Sequence, residues 1–556
     1  DNPRQWYWDI EWGEDIAGSS ASNYDRLVGT KFEIIKANND QIEISFTKKW
    51  NDSSKVFPVN MDKRYIMLRN YSGFYTYGIL EHPRDAPAVQ ISVIRAAFKL
   101  KQNKFNYMAV SDDRQRIMPS ALDRRNGEEL AYPEAVLLTN PSNPNLKGEV
   151  DDKYQYSSDH KDIKVHGWIS SYPSVGFWVI TPSQEFLTTG PTKQELTSHV
   201  GPTSLSVFMS CHYVGKDLII KLKKGETWKK VFGPISIFLN SVSTNPNPHS
   251  VLWENAKTQL FVQDRYLNKN NTSAKFAYIG LAAPGKAGSW QWENKGYQFW
   301  TQADAEGVFL IKNVRPGNYN LYAWVPGVIG DYMYNNTIAI QAGNTIDLNN
   351  LVYIPPRNGP TVWEIGIPDR TASEFYVPDP LPNLTNRLFI NESENRFRQY
   401  GLWDRYTDLY PKEDLIYTIG VSDYRRDWFF AHVNRKLQNG TYQHTTWQVK
   451  FKLEDVILSR NYTLQLALAS ASLSALQVHL NNHNNQGPLF STHLLGRDNS
   501  IARHGIHGSY WIFSVSVSGS WLRQGQNTLY LTQSRSVGPF GGLLYDYLRF
   551  EAPSQN

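Results

Sequence analysis

A mainly β protein built from several sandwiches is the fold class that the sequence predicts, and three observations predict it. Apolar residues alternate with polar ones at Ile42, Ile44 and Phe46, at Trp447, Val449, Phe451 and Leu453, and at Phe513, Val515 and Val517, which is the period of a half-buried strand. Clusters of Gly, Pro, Asn and Asp lie between such stretches and supply turns. Long amphipathic helices are scarce, with one short helical piece expected within Gln184 to Ser198. At 556 residues the chain is several times a typical domain of ~150 residues, so two to four domains are expected.

The blocks follow in order. Residues 1–275 are too many for an immunoglobulin-sized unit of ~100 residues and suit one large sandwich. Residues 276–356 open near Ala277-Tyr278-Ile279-Gly280. They carry Asp304-Ala305-Glu306-Gly307 and the Pro316-Gly317 turn before an alternating run to Trp324, the pattern of a small sandwich. A linker through Ile354-Pro355-Pro356-Arg357-Asn358-Gly359-Pro360 leads into residues 357–556, which end in strands and are expected to form a third sandwich. No short-period repeat of the solenoid or propeller kind is present.

Composition narrows the function classes. Hydrophobic residues at 41% and charged residues at 20% make a globular chain rather than a disordered one. A single cysteine, Cys211, rules out both a disulfide scaffold and a cysteine-rich zinc site. Aromatic residues reach 13%, and such rings stack on sugars as well as fill sheet cores. The net charge of +5 favours an anionic polymer but is too dilute for a nucleic-acid-binding chain. No apolar stretch approaches the ~20 residues that span a bilayer. The longest, Val456 to Val478, is broken by Arg460, Asn461 and several serines. The start at Asp1-Asn2-Pro3 carries no Met, basic segment or hydrophobic signal core, so a processed, secreted, extracellular form is expected. Asn383-Leu384-Thr385 and Asn461-Tyr462-Thr463 are glycosylation triplets.

Phosphate-binding loops, a Gly-x-Ser-x-Gly elbow and a His-Glu-x-x-His zinc site are all absent. Numerous carboxylates leave a glycosidase acid pair open. Taken alone, Lys153 reads as a solvated residue of an Asp-Asp-Lys turn, His199 and His166 as partly buried histidines, His212 as a strand residue, and Arg124-Arg125 as solvated charge.

Longer motifs change that reading. They are Ser111-Asp112-Asp113-Arg114-Gln115-Arg116-Ile117-Met118-Pro119, Gly148-Glu149-Val150-Asp151-Asp152-Lys153-Tyr154-Gln155-Tyr156-Ser157, Val165-His166-Gly167-Trp168, and Gly190-Pro191-Thr192 through His199-Val200-Gly201-Pro202. Together they resemble the rhamnogalacturonan lyases of polysaccharide lyase family 4. Asn313-Val314-Arg315-Pro316-Gly317 with Tyr322-Ala323-Trp324 resembles the family's fibronectin-type-III-like domain. Ile419-Gly420-Val421-Ser422-Asp423, Ile501-Ala502-Arg503-His504-Gly505-Ile506-His507-Gly508 and Tyr545-Asp546-Tyr547-Leu548-Arg549 resemble its carbohydrate-binding-like jelly roll.

The resemblance implies a supersandwich-like first domain and an enzyme that cuts the rhamnose–galacturonate linkage of rhamnogalacturonan I by β-elimination. It implies a catalytic lysine and histidine, matched by Lys153 and His199, with Val200 interrupting the tighter His-Gly-Pro spacing of some members. Substrate-binding arginines are sought at Arg114, Arg116, Arg124 and, in the third block, Arg503, because a guanidinium holds a carboxylate through two parallel hydrogen bonds. Arg114 and Arg116 are expected around Lys153, with surface salt bridges as the alternative role for both. No catalytic metal is expected, since cations of the chain can neutralise the uronate, although Asp-rich turns suit a structural Ca²⁺. The expected partners are rhamnogalacturonan I and its oligosaccharides, with no nucleic acid and no membrane, and the chain is expected to be a monomer. A catalytically silent polysaccharide-binding protein is the alternative.

Overall fold

The computed structural model describes residues 5–14, 23–51, 57–132, 134–243, 245–260, 274–390, 393–481 and 487–554. The chain start at Asp1-Asn2-Pro3 lies outside them.

Two sheets face each other in the first part of the chain. A nine-stranded sheet runs in the order Lys31–Ala37, Gln41–Lys48, Asn60–Leu68, Gly73–His82, Trp228–Ser241, Ser174–Ile180, Val165–Ser171, Phe105–Ala109 and Gln115–Ile117. A six-stranded sheet runs Ser198–His199, Thr203–Ser210, Val89–Lys99, Trp6–Glu14 and Asn23–Asp25, with Ile220–Leu222 also on Val89–Lys99. Their inner faces enclose Trp8, Ile10, Ile94, Ala96, Phe98, Phe208, Phe232 and Ile237. The alternation of Val89–Lys99 thus sends Ile94, Ala96 and Phe98 inward and leaves Arg95, Ala97 and Lys99 on the outer face.

The middle part is a five-stranded sheet centred on Tyr278–Ala282 and Gly317–Trp324. The last part pairs a six-stranded sheet, including Asn461–Ser474, Trp511–Ser518 and Gly542–Glu551, with a five-stranded one, including Thr445–Leu453, Gly525–Gln533 and Leu476–Leu480. Trp363, Trp428, Trp447, Tyr545 and Phe550 fill the space between them. The stretch Val456 to Val478, the longest apolar run, is spent mostly on the strand Asn461–Ser474. Among the described residues no helix is long and apolar enough to cross a membrane.

Gln184 to Ser198 contains no helix, contrary to expectation. Thr189 and Gly190 take φ of 69° and 84°, Pro191 follows, and Gln194–Leu196 pairs antiparallel with Ser157–Asp159; left-handed backbone and a proline stop a helix from propagating. The longest described helix is instead Pro248–Lys257, started by Asn247 as N-cap with Pro248 in the first turn. Its Leu252, Trp253 and Ala256 pack on Trp178 and Phe238.

The first and third sandwiches touch directly. Asn386 donates to the Val150 carbonyl at 3.3 Å and to Gln155 Oε1 at 3.1 Å. Gln155 donates to the Arg398 carbonyl at 3.0 Å, and Arg398 donates to Ser157 Oγ at 2.9 Å. The segment 150–157 is therefore clamped between the two sandwiches.

Candidate active site

Local chemistry fixes the conformation of that clamped segment. Lys153–Tyr156 is one 3-10 turn, capped reciprocally: Asp152 accepts from the Tyr154 amide at 3.1 Å and Gln155 accepts from the Asp152 amide at 3.1 Å. The two acids before Lys153 are buried, at 2% and 0% exposure for Asp151 and Asp152. Asp151 takes the Tyr156 hydroxyl at 2.7 Å and an ion pair from Arg124. Asp152 takes the Tyr132 hydroxyl and His504 Nε2, the latter at 2.7 Å. A solvated Asp-Asp-Lys turn is thereby excluded. With both acids committed inward, Lys153 keeps a partly open side chain, 3.3 Å from Glu134.

Tyr154 lies on the outer face of the six-stranded sheet, against Ala97, Leu205 and Val207. Its ring carries two cations: Arg503 Cζ is 4.2 Å and Lys153 Nζ 5.0 Å from the centroid. Arg503 comes from the third sandwich and also donates to the His212 carbonyl. Burial pulls the Lys153 ammonium below its usual pKa, and Arg503 adds to the effect while Glu134 opposes it.

His199 ends the short strand Ser198–His199 beside the turn Val200-Gly201-Pro202, where Gly201 has φ 90°. It pairs with Thr203, and the strand packs on the turn that carries Lys153. Nδ1 stands 2.8 Å from the Val200 carbonyl. A carbonyl only accepts, so Nδ1 holds the proton and Nε2 of the neutral ring is an acceptor. Burial, then the fields of Lys153, Arg124 and Arg95, push this imidazole down to about 4.

Of the residues singled out in the sequence, Lys153, His199 and Arg503 converge, with Arg124 close enough for its charge to reach His199. Arg124 itself is tied to Asp151 and to the Glu134 carbonyl at 2.6 Å. Arg114 and Arg116 are placed otherwise than expected. Arg114 is 7% exposed and holds Ser111, the Ser157 carbonyl and Ser158. Arg116 pairs with Glu149 at 2.8 Å and donates to Asn386 at 2.7 Å. Both brace the backbone on either side of the turn, and the cation beside Lys153 is Arg503. His166 is buried on the Leu205 carbonyl at 2.8 Å.

His212 lies closer to the cleft than a plain strand residue would. Its ring is 6.1 Å from that of Tyr154, edge on, and its Nδ1 faces the buried Glu195 at 3.8 Å. Glu134 lay in no motif, and His212 read as a strand residue. The one local signal was the aromatic that follows Lys153. Among the described residues no group of three or more His, Cys, Asp or Glu is arranged to hold a metal ion.

Comparison with known proteins gives three matching family models: the rhamnogalacturonate lyase family over residues 1–150, polysaccharide lyase family 4 domain II over residues 274–348, and domain III of the same family over residues 361–550. A rhamnogalacturonate lyase of Dickeya dadantii (strain 3937) is 23% identical over 535 residues, covering 91% of this chain and 81% of that protein. A probable rhamnogalacturonate lyase B of Aspergillus flavus is 24% identical over 465 residues, covering 72% and 67%. A rhamnosidase from Novosphingobium sp. PP1Y aligns with a TM-score of 0.13 at 7% identity, over 91% of this chain and 24% of that one, too low a likeness to bear on the fold.

Proposed function

Because the chain belongs to polysaccharide lyase family 4 and is a lyase-type enzyme, we propose that it cuts the rhamnose–galacturonate linkage of the rhamnogalacturonan-I backbone by β-elimination. The observation that carries this reading is the Tyr154 ring with Lys153 and Arg503 upon it, beside His199. That arrangement suits a sugar carboxylate next to a weakly acidic C–H.

In the proposed step Lys153 takes the proton from C5 of galacturonate. The C5–H electron pair becomes the C4=C5 double bond, and the C4–O4 bond breaks with its pair leaving on O4. Arg503 pairs with the carboxylate and stabilises the enolate character that develops there. A base near neutral pH needs a lysine pKa below ~10.4, and the burial of Lys153 acts in that direction. H5 and O4 of galacturonate are axial on opposite faces of the ring, so a second group must serve O4. We assign His199. In the free enzyme its Nε2 is an acceptor, and an incoming uronate offsets the fields of Lys153, Arg124 and Arg95, which add to burial in keeping the ring neutral. With the uronate bound, Nε2 takes up a proton from solvent before cleavage, and the imidazolium passes that proton to O4 as the C4–O4 bond breaks, returning to the neutral ring. Arg124 contributes its charge from its seat on Asp151.

Incubation with rhamnogalacturonan I tests the reaction. Ultraviolet absorbance from a conjugated 4,5-unsaturated uronate should rise, and product masses should sum to the substrate without added water. Saturated products heavier by one water would mean hydrolysis, and binding without cleavage would mean a carbohydrate-binding protein. Homogalacturonan, which lacks the alternating rhamnose, should be cleaved poorly. Activity should survive chelation, since no metal is assigned a role; complete, reversible loss with the fold intact would overturn that. We further propose a secreted monomer, which size-exclusion chromatography of culture medium would test.

A further inference from the structure

The arrangement at Tyr154 occurs twice. On the same outer face of the six-stranded sheet, Tyr7 packs against the apolar cluster that contains Tyr154, Ala97, Leu205 and Val207. Its ring also carries two cations, with Arg26 Cζ 4.7 Å and Lys99 Nζ 5.5 Å from the centroid. Neither cation has a carboxylate at ion-pair distance among the described residues, unlike Arg95, Arg116 and Arg124. Of the two carboxylates that strand alternation puts on this face, Asp9 is engaged by Arg95 at 2.8 Å on one oxygen and by the Tyr24 hydroxyl at 2.9 Å on the other, and Glu11, two residues farther along the strand, lies in the field of Arg95. Two like charges gathered on one ring without a counter-charge repel each other, and an anion between them relieves that repulsion.

Register relates this constellation to the catalytic one. His199 pairs with Thr203, and Thr203 pairs with Lys99. Residues in one cross-strand row share a face, and two strand spacings put Lys99 about 10 Å from His199. Tyr7 stands on the next strand out, opposite Ala97. The two rings are therefore ends of one strip, cationic at each end and apolar between.

We propose that Tyr7, Arg26 and Lys99 form a second uronate-binding subsite, which holds a carboxylate-bearing sugar of the same polymer a few units from the bond that is cut. This rests on the reading of the Lys153 cleft as the place of cleavage. A backbone in which acidic and neutral sugars alternate presents carboxylates at intervals, and this face presents one cation pair at each ring, with the packed Ala97, Leu205 and Val207 setting the interval between them. Such a subsite contributes to holding the polymer and leaves the reacting sugar untouched.

The test is the double variant Arg26→Ala/Lys99→Ala, with Lys99→Glu as a second variant that keeps Arg26, each checked for an unchanged thermal midpoint. Hydrogen bonds to charged groups are worth enough for roughly a tenfold change in affinity. On rhamnogalacturonan I the double variant should raise KM about tenfold and leave kcat within about twofold. On the shortest oligosaccharide that is cleaved both constants should stay at the wild-type value. An unchanged KM on the polymer, or an equal loss on long and short substrates, would overturn the subsite. Calorimetric titration with rhamnogalacturonan-I oligosaccharides separates it from the catalytic reading. If wild type binds but never cleaves, the lyase reading fails. Weaker binding by the double variant would still support the subsite, and equal binding would sink it.

Discussion

His504 Nε2 donates to Asp152 Oδ2 at 2.7 Å, joining the third sandwich to the residue immediately before Lys153. Both side chains are almost wholly buried. Burial works against the Asp152 charge, but the bonds from His504, Tyr132 and the Tyr154 amide outweigh it and hold the carboxyl below its ordinary range. A depressed carboxyl contributes stability that is present above its unfolded pKa of ~3.9 and is lost as pH falls through the folded value. Asp152→Asn is expected to cost about 3 kcal/mol at neutral pH and to lower kcat by loosening the lysine turn. In urea titrations the gap to wild type should begin to narrow below about pH 4 and close as pH falls through the lower folded value. A gap that persists there would mean the loss is not electrostatic.

Lys153→Ala and His199→Ala should each fold normally, bind oligosaccharide, and lose at least ~100-fold in kcat, the scale of a positioned acid or base. Lys153→Arg keeps the charge near Arg503 but cannot yield a free base, so it should remain inactive across the pH range. Substantial turnover by Lys153→Arg at any pH would reassign the lysine to carboxylate binding.

The sandwiches were legible because their signal is local. Trp447, Val449, Phe451 and Leu453 alternate in sequence and all four are buried on the strand Thr445–Leu453. Ile42, Ile44 and Phe46 do form a strand, yet there the buried residue is Ser45, whose hydroxyl reaches Asp62. Near the sheet's end there is too little cover for the apolar side. Helix Pro248–Lys257 went unread because three buried residues in ten make a weak stripe. At the site, Lys153 and His199 were recognisable through the family's motifs, not through their own chemistry. Glu134 had no such mark, and His504 lay in a motif of the third block that carried no hint of a role for it at the site. His504 meets Asp152 across 352 residues of chain, and nothing local in either segment encodes that meeting. Arg114 and Arg116 show the converse. Their motif is right, but burial in the seam commits them to backbone and to Glu149.

Glu134→Gln should shift the pH dependence in a definite direction. Glu134 favours the charged form of Lys153 from 3.3 Å, against burial and Arg503. Without it the ammonium gives up its proton more readily, so the rising limb of kcat/KM should move to lower pH. A limb that stays in place would mean that Lys153 is not the group titrating in it.

Behind His212, the Lys193 ammonium and Glu195 carboxylate form an ion pair of 2.5 Å with side chains 2% and 0% exposed. Ser210 Oγ donates to Glu195, and the Ser210 carbonyl accepts from Lys193 at 2.9 Å. Burial penalises the Glu195 charge, yet Lys193 and then His212 bring its pKa down to about 2. Against an unfolded value of ~4.3, the pair's contribution is complete above that pH and fades as pH falls toward 2. Breaking such a pair by removing one partner strands the other charge in the interior, so Glu195→Gln should lose about 3–5 kcal/mol at pH 7. Replacing both partners with apolar residues of similar volume, Lys193→Met/Glu195→Leu, leaves no stranded charge and should recover most of that loss. His212 would then lack the carboxylate that raises its proton affinity, and its pKa, followed by NMR, should fall further. A double variant as unstable as Glu195→Gln would place the stabilisation in the hydrogen bonds of Ser210 instead of in the ion pair.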